Sequence, residues 1–421
     1  MKVIRFEVLH AITFAFSVLL TFSKSHAHIE SGDVLSTIKG IPSLLVPSSD
    51  KSYTPFQICQ DLVLPYAYPC VEYTTLTSDG WELKIQRINL REAGSAAGVV
   101  FFQHGLLDSA AGILLPGPKE SLAFGLADTG YDVWLGNNRG NKVSMTNLHF
   151  SETEPGFWNF TMDDMAAIDL PTQLLFVLNQ TGAKQLTYIG HSQGTVQAFM
   201  GFQNASVAAL VNGYIALAPI THIGNVESEL VRLGAELYTD DLLKELGVLR
   251  IEFSDDLQDF MAGKCADSLE ICMDIMMALN GPSVDENSTQ IPLDVHYFPA
   301  ATSVKNYAQW MQWIRTGVYA KYDYGSHQAN MEHYGSPKPP LYNELLIPET
   351  LPLYFFHGTH DYLSDSIDFA NLVALLSQNR SSPSVMTVEG YNHIDYIEAT
   401  NAYQIEYPKI YAILNNIWNT S

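Results

Sequence analysis

The apolar side chains of this chain follow two rhythms, and the change from one to the other outlines a fold. Residues 71–77 alternate apolar and polar positions, break at Ser78-Asp79-Gly80 and alternate again over 81–88. Two alternating runs across an Asp-Gly turn predict a β-hairpin. Residues 98–102 form a continuous apolar run, the pattern of a strand buried on both faces of a parallel sheet. A helix-compatible stretch over 120–128 stops at Gly130, and 131–135 reads as another buried strand, closed by Gly136-Asn137-Asn138-Arg139-Gly140. Residues 162–179 have helical spacing interrupted by Pro171, which either kinks the helix or opens a new first turn. Apolar runs return at 186–189 and 213–219. Strands alternating with helices predict an α/β protein whose mostly parallel sheet is covered on both faces.

After Pro219 the rhythm changes. From 220 to about 342 there is no buried-strand run. Amphipathic helical patterns take its place, with Met273, Met276 and Met277 close together and aromatics at Tyr307, Trp310 and Trp313. This predicts a helical cap inserted into the α/β core. Its Met and aromatic side chains are read first as ordinary core and second as an apolar lid surface. The sheet resumes at 351–356, followed by His357-Gly358-Thr359-His360-Asp361, and a last strand over 384–389 leads into Gly390-Tyr391-Asn392-His393. The expected organisation is therefore core over 59–219, cap or lid over 220–342 and core again over 343–421.

Composition adds limits. With 421 residues, 47% of them hydrophobic, the chain can bury a large core. Lys plus Arg number 22 against 45 Asp plus Glu, a net charge of −23, which argues against nucleic acid or an anionic membrane as an electrostatic partner. At the N-terminus Lys2 and Arg5 precede an apolar run over 8–22 and then Ser25-His26-Ala27, the pattern of a secretory signal cleaved after Ala27. The run is short for a bilayer, so an uncleaved anchor is the weaker reading and no transmembrane span is expected in the mature chain. Residues 28–58 mix Ser, Pro and Gly without period and read as an arm or pro-segment. A secreted protein, or one in the lumen of a lysosome or vacuole, is expected to be oxidised. The four cysteines then pair by proximity, Cys59 with Cys70 and Cys265 with Cys272, in preference to the other connectivities or to zinc. Sequons at Asn159, Asn179, Asn204, Asn287, Asn379 and Asn419 are candidate glycosylation sites.

The chemistry is concentrated after the run at 186–189, in Gly190-His191-Ser192-Gln193-Gly194. A strand, Gly-x-Ser-x-Gly and a helix-compatible segment make a nucleophile elbow, with Ser192 the nucleophile and small residues at 190 and 194 because a Cβ there would collide with the packed backbone. The motif alone is weak; its context strengthens it. In hydrolases with such an elbow the acid and the histidine follow in that order on loops after later strands. Asp361 and His393 occupy those places, with Asp365 the rival acid. Serine is a poor nucleophile at neutral pH, so His393 would take its proton and Asp361 would fix the imidazole tautomer. His191 reads as a packing or hydrogen-bonding neighbour and His104 as a loop organiser. The oxyanion of a tetrahedral intermediate would be met by the backbone N–H groups of Leu106 and Gln193.

Taken together, these residues resemble the acid lipase family of α/β-hydrolases, which includes gastric, lysosomal acid and plant triacylglycerol lipases. The resemblance runs from about Cys59 to the C-terminus. It rests on Ser78-Asp79-Gly80, Gln103-His104-Gly105-Leu106-Leu107, the stretch from Tyr131 to Gly140, the elbow with Thr195, Tyr322-Asp323-Tyr324-Gly325, His333-Tyr334-Gly335, Pro339-Pro340-Leu341-Tyr342, Asp361 and Asn392-His393-Ile394-Asp395-Tyr396. It implies an α/β-hydrolase core with a mostly parallel sheet and an inserted helical cap. The implied activity is that of a cofactor-free serine hydrolase, cleaving carboxylic esters of neutral lipids such as triacylglycerol or sterol ester at a lipid–water interface. It carries over Ser192, Asp361 and His393 as the triad and Leu106 and Gln193 as oxyanion donors. The chain departs from the family where Asp108-Ser109-Ala110-Ala111-Gly112 lacks a nearby aromatic, where Asn138 replaces a small hydroxyl residue, and in having one close cysteine pair in the cap. A soluble carboxylesterase for small esters and a catalytically silent lipid-binding relative are the alternatives.

Overall fold

A computed structural model of the protein describes residues 56–420 apart from 89–96, 254, 284, 286, 289 and 379–380. The expected signal peptide, most of the expected arm and the Asn379 sequon lie outside the described residues. Among the described residues there are ten strands: β1 Cys70–Leu76, β2 Glu82–Ile88, β3 Val99–Gln103, β4 Asp132–Gly136, β5 Leu186–His191, β6 Val211–Leu217, β7 Arg250–Ile251, β8 Thr302–Ser303, β9 Leu353–Gly358 and β10 Ser384–Val388. Eight of them form one sheet in the order β1-β2-β4-β3-β5-β6-β9-β10. The hairpin β1/β2 and the β2/β4 pair are antiparallel, and every other neighbour in the sheet is parallel.

The two faces of this sheet follow from the period of two along a strand. Val100, Phe102, Ile189, Ile215 and Phe356 point to one face, where they pack against the helix α1 Leu122–Asp128 and against Ile410, Leu414 and Ile417 near the C-terminus. Phe101, Tyr188, Tyr214 and Phe355 point to the other, against α2 Leu170–Thr181 and α3 Gln193–Gly201. Every residue of β3, β4 and β5 is buried. At about 1.5–3 kcal/mol for each large apolar side chain buried, a one-residue slip would exchange both faces and is strongly disfavoured.

Over 162–179, where Pro171 is expected to kink a helix or open a new first turn, the structure takes the second course. A capping box between Thr161 and Asp164 opens a short turn at Met162–Asp164, a single π-turn covers Met165–Asp169, and α2 then begins with Pro171 in its first turn, where the missing N–H costs no intrahelical bond. Asp169 ends the π-turn and is fully buried. It meets Arg139, whose guanidinium also reaches Asp79 at 2.6 Å, so the Ser78-Asp79-Gly80 turn, the loop after β4 and the start of α2 are held by one cation.

Between β6 and β9 lie the helices α4 Glu229–Glu236, α5 Thr239–Glu245, α6 Asp255–Asp267, α7 Leu269–Asn280, α8 Ile291–Tyr297, α9 Val304–Thr316 and α10 His327–Tyr334. The two-residue strands β7 and β8 pair with each other inside this insertion, too short to leave a period in the sequence. Trp310 and Trp313 are buried on α9, whereas Met273, Met276 and Met277 are half-buried on α7. Disulfides join Cys59 to Cys70, the first residue of β1, and Cys265 on α6 to Cys272 on α7. Among the described residues no helix is long and apolar enough to cross a membrane.

Candidate active site

Chain direction is reversed sharply at the end of β5. Ser192 follows β5 directly and precedes α3, with φ 52° and ψ −116°. A positive φ on a residue with a side chain is strained and persists only where the surroundings impose it. Here the imposition is steric. A Cβ at Gly190 would come within 2.8 Å of the Gly194 carbonyl group, and one at Gly194 within 2.3 Å of the Gln103 carbonyl oxygen. The elbow can thus pack against β3 only with glycine at both places, as the sequence implied.

The Ser192 hydroxyl lies 2.7 Å from His393 Nε2. The other ring nitrogen, Nδ1, lies 2.9 and 3.0 Å from the two Asp361 carboxylate oxygens. A carboxylate accepts only, so Nδ1 carries the proton and Nε2 is left to accept from the serine. The three groups come from loops after β5, β9 and β10, and all are buried. Burial on its own would raise the Asp361 carboxyl. The adjacent imidazole and the N–H groups of Ser364 and Leu363, at 2.8 and 2.9 Å, outweigh it and hold the group below the usual carboxylate range. Asp365, the rival acid, is turned to its own helix Ser366–Leu376: it accepts the N–H of Ile367 and Asp368 as an N-cap.

The neighbouring histidines are structural donors and acceptors. His191 Nε2 donates to the His393 carbonyl at 2.8 Å, and burial pushes its ring down to about 3, so it stays neutral. His104 Nδ1 donates to the Gly105 carbonyl at 2.8 Å, while its Nε2 accepts the Asn138 N–H at 3.1 Å and an amide hydrogen of Asn141 at 3.2 Å. Burial lowers it to about 4. This ring thus ties the loop after β3 to the loop after β4.

That loop after β3 runs alongside the serine. A Cβ built on Gly105 would fall 3.2 Å from Ser192 Cβ and 3.6 Å from its Oγ, and Leu107 turns the chain with φ 61°. Leu106 is therefore beside the elbow. Gln193 is the first residue of α3, where a backbone N–H has no partner within its own helix. The loop that carries Leu106 and the first turn of α3 thus both lie beside Ser192, the latter at the positive end of a helix.

One contact has no signal in the motif. The Gln193 side-chain oxygen accepts Asn306 Nδ2 at 3.0 Å and Trp310 Nε1 at 3.1 Å, both from α9 of the insertion. The aromatic stripe at 307–313 was legible in the sequence, but not that one of its indoles reaches the elbow. Of the sequons, Asn159, Asn179, Asn204 and Asn419 are exposed and Asn287 is half-buried.

A hydrogen-bonded serine, histidine and aspartate on the C-terminal edge of this sheet define an α/β-hydrolase. Comparisons with known proteins agree: residues 98–400 match the model of the alpha/beta hydrolase fold, and residues 59–114 that of a partial alpha/beta-hydrolase lipase region. The chain is 34% identical to human gastric triacylglycerol lipase, across 91% of this chain and 96% of that one. It is 33% identical to triacylglycerol lipase 1 of Arabidopsis thaliana, across 82% and 87%. Among solved structures, a soluble variant of monoglyceride lipase from Saccharomyces cerevisiae shares the fold, with a TM-score of 0.52 at 15% identity over 88% of this chain and 97% of that one. The chain belongs to the acid lipase family of α/β-hydrolases and is a carboxylic ester hydrolase.

Proposed function

We propose that this chain hydrolyses carboxylic esters of neutral lipids, triacylglycerols or sterol esters, through an acyl-enzyme on Ser192. The observation that carries the reading is the unbroken row from Ser192 Oγ through His393 to Asp361, at 2.7 and 2.9 Å. His393 Nε2 takes the hydroxyl proton as Ser192 Oγ bonds to the ester carbonyl carbon, and Asp361 steadies the imidazolium. The carbonyl oxygen, now an anion, receives the N–H groups of Leu106 and Gln193. Collapse expels the alcohol with the proton from His393. Water then attacks the acyl-serine by the same route, releasing the acid and restoring the hydroxyl.

Residues 220–342 act as a cap over this site and residues 59–219 and 343–421 as the core that builds it. The closed state fits this reading: Ser192 is 6% exposed. Substrate therefore enters after cap movement, at a lipid–water interface. The chain is secreted or delivered to a lysosomal or vacuolar lumen, with both disulfides formed and the exposed sequons glycosylated. The neutral-lipid reading is favoured over small esters by the relatives' activity as triacylglycerol lipases.

Replacing Ser192 by Ala should reduce ester hydrolysis by at least about 10³-fold while leaving the thermal transition in place. A chain-length series of esters, tested below and above their solubility, should show a rise in rate when the substrate forms a separate phase. Undiminished turnover by Ser192→Ala would overturn the nucleophile, and rates that track soluble ester alone would favour the small-ester alternative.

A further inference from the structure

One short segment of the cap touches both loops that carry the acid and the base. At the end of α7 the Asn280 carbonyl accepts two backbone N–H groups, from His393 at 3.1 Å and from Tyr362 at 3.2 Å. A carbonyl has two lone pairs, and here one goes to the base and the other to the residue after the acid. The Gly281 carbonyl accepts Asn392 Nδ2 at 2.9 Å. The Pro282 carbonyl faces His360 Nδ1 at 3.2 Å, and Ser283 Oγ donates to Asp395 Oδ1 at 2.7 Å. The other oxygen of Asp395 accepts the Asn392 N–H at 2.7 Å, closing the circuit on the residue beside His393. Four consecutive cap residues thus bond to residues immediately around Asp361 and His393.

The close approach needs glycine at its centre. Gly281 has φ 101°, and a Cβ on it would fall 1.9 Å from the His360 carbonyl oxygen. A second cap segment grips the acid loop from another side: Glu227 N–H reaches the Tyr362 carbonyl at 2.8 Å, and Ser228 Oγ donates to the Ala278 carbonyl on α7 at 3.0 Å.

We propose that residues 280–283 are a positioning element for ester hydrolysis, locking the loops after β9 and β10 in one relative placement so that His393 stays between Asp361 and Ser192. The inference rests on the triad reading above and adds that the cap is part of what assembles the triad as well as what covers it. Parallel strands β9 and β10 fix where each loop begins, and the loops are tied to each other near their bases, His360 N–H to the Tyr391 carbonyl at 2.9 Å and Gly390 N–H to Thr359 Oγ1 at 2.9 Å. Residues 280–283 add a tether further out, at Tyr362, Asn392, His393 and Asp395 themselves, where reactivity falls by about 10²-fold for a misplacement near 1 Å.

The test uses the full-length protein with Gly281→Ala, Ser283→Ala and Ser283→Thr, read two ways. For turnover of p-nitrophenyl butyrate, Ser283→Ala should lower kcat by about fivefold or more with KM within about twofold, Ser283→Thr should recover most of it by restoring the hydroxyl, and Gly281→Ala should lower kcat by about 50-fold or more. Hydrogen–deuterium exchange should quicken in Ser283→Ala over both 359–366 and 389–396, and return in Ser283→Thr. The exchange result does not depend on turnover, and Ser192→Ala separately tests the triad, so failure of one reading is distinct from failure of the other. A kcat within twofold of wild type in Ser283→Ala, a loss confined to KM, or unchanged exchange in either loop would overturn the proposal. If Gly281→Ala does not fold, the Ser283 pair decides.

Discussion

Ser192 holds a backbone conformation that its side chain disfavours because Gly190, Gly194 and Gln103 leave no other path. Gly194→Ala should therefore displace the elbow instead of merely crowding it. Its Cβ would meet the Gln103 carbonyl oxygen at 2.3 Å, so activity should fall by more than about 100-fold with a stability loss of about 1–3 kcal/mol, measured by turnover and denaturant melts. Beside the elbow, burial pushes the Asp108 carboxyl from 3.8 up to about 7 against the N–H groups of Ser109, Gly112 and Gly105. Between those two values the folded chain keeps a proton that the unfolded chain has released, so this group makes folding less favourable as pH rises through that window, with the full cost present above it. Asp108→Asn has no such proton. The difference in melting temperature, variant minus wild type, should widen from pH 5 to pH 8, and a constant difference would show that Asp108 ionises as in water.

At the scale of elements, Arg139 joins three of them through Asp79 and Asp169. Replacing it with Ala strands a fully buried carboxylate, and should cost about 3–5 kcal/mol, read by chemical denaturation. What the sequence made legible at this scale were elements with their own period: the continuous runs that became β3, β4, β5 and β6, the Asp-Gly hairpin, and the glycines of the elbow, whose spacing is set by local sterics. Asp361 and His393 were legible because each follows a strand run directly. The π-turn at Met165–Asp169 was not, since it differs from α-helix only by one extra residue per turn. The pair β7/β8 is too short for any alternation. The bonds of residues 280–283 and of Gln193 with Asn306 and Trp310 arise from tertiary placement, and the Asn280-Gly281-Pro282 sequence announces only a turn.

At the scale of the molecule, the sheet supplies the elbow, and the insertion between β6 and β9 reaches Gln193 beside it and the loops of Asp361 and His393, which is the basis for our proposal that it acts as a cap and a positioning element. The chain's charge of −23 acts against compactness near neutrality, and protonating carboxylates relieves it. The pH–rate profile of ester hydrolysis should accordingly peak below neutrality, and a peak well above it would contradict this reading. The whole account depends on a single activated hydroxyl at the sheet's edge. Its most direct test is reaction of the native protein with a fluorophosphonate, followed by mass spectrometry of the digested chain. The account predicts one adduct per chain, on Ser192, formed in step with loss of ester hydrolysis and absent after denaturation; an unlabelled Ser192 in an active protein, or inactivation through an adduct elsewhere, would contradict it.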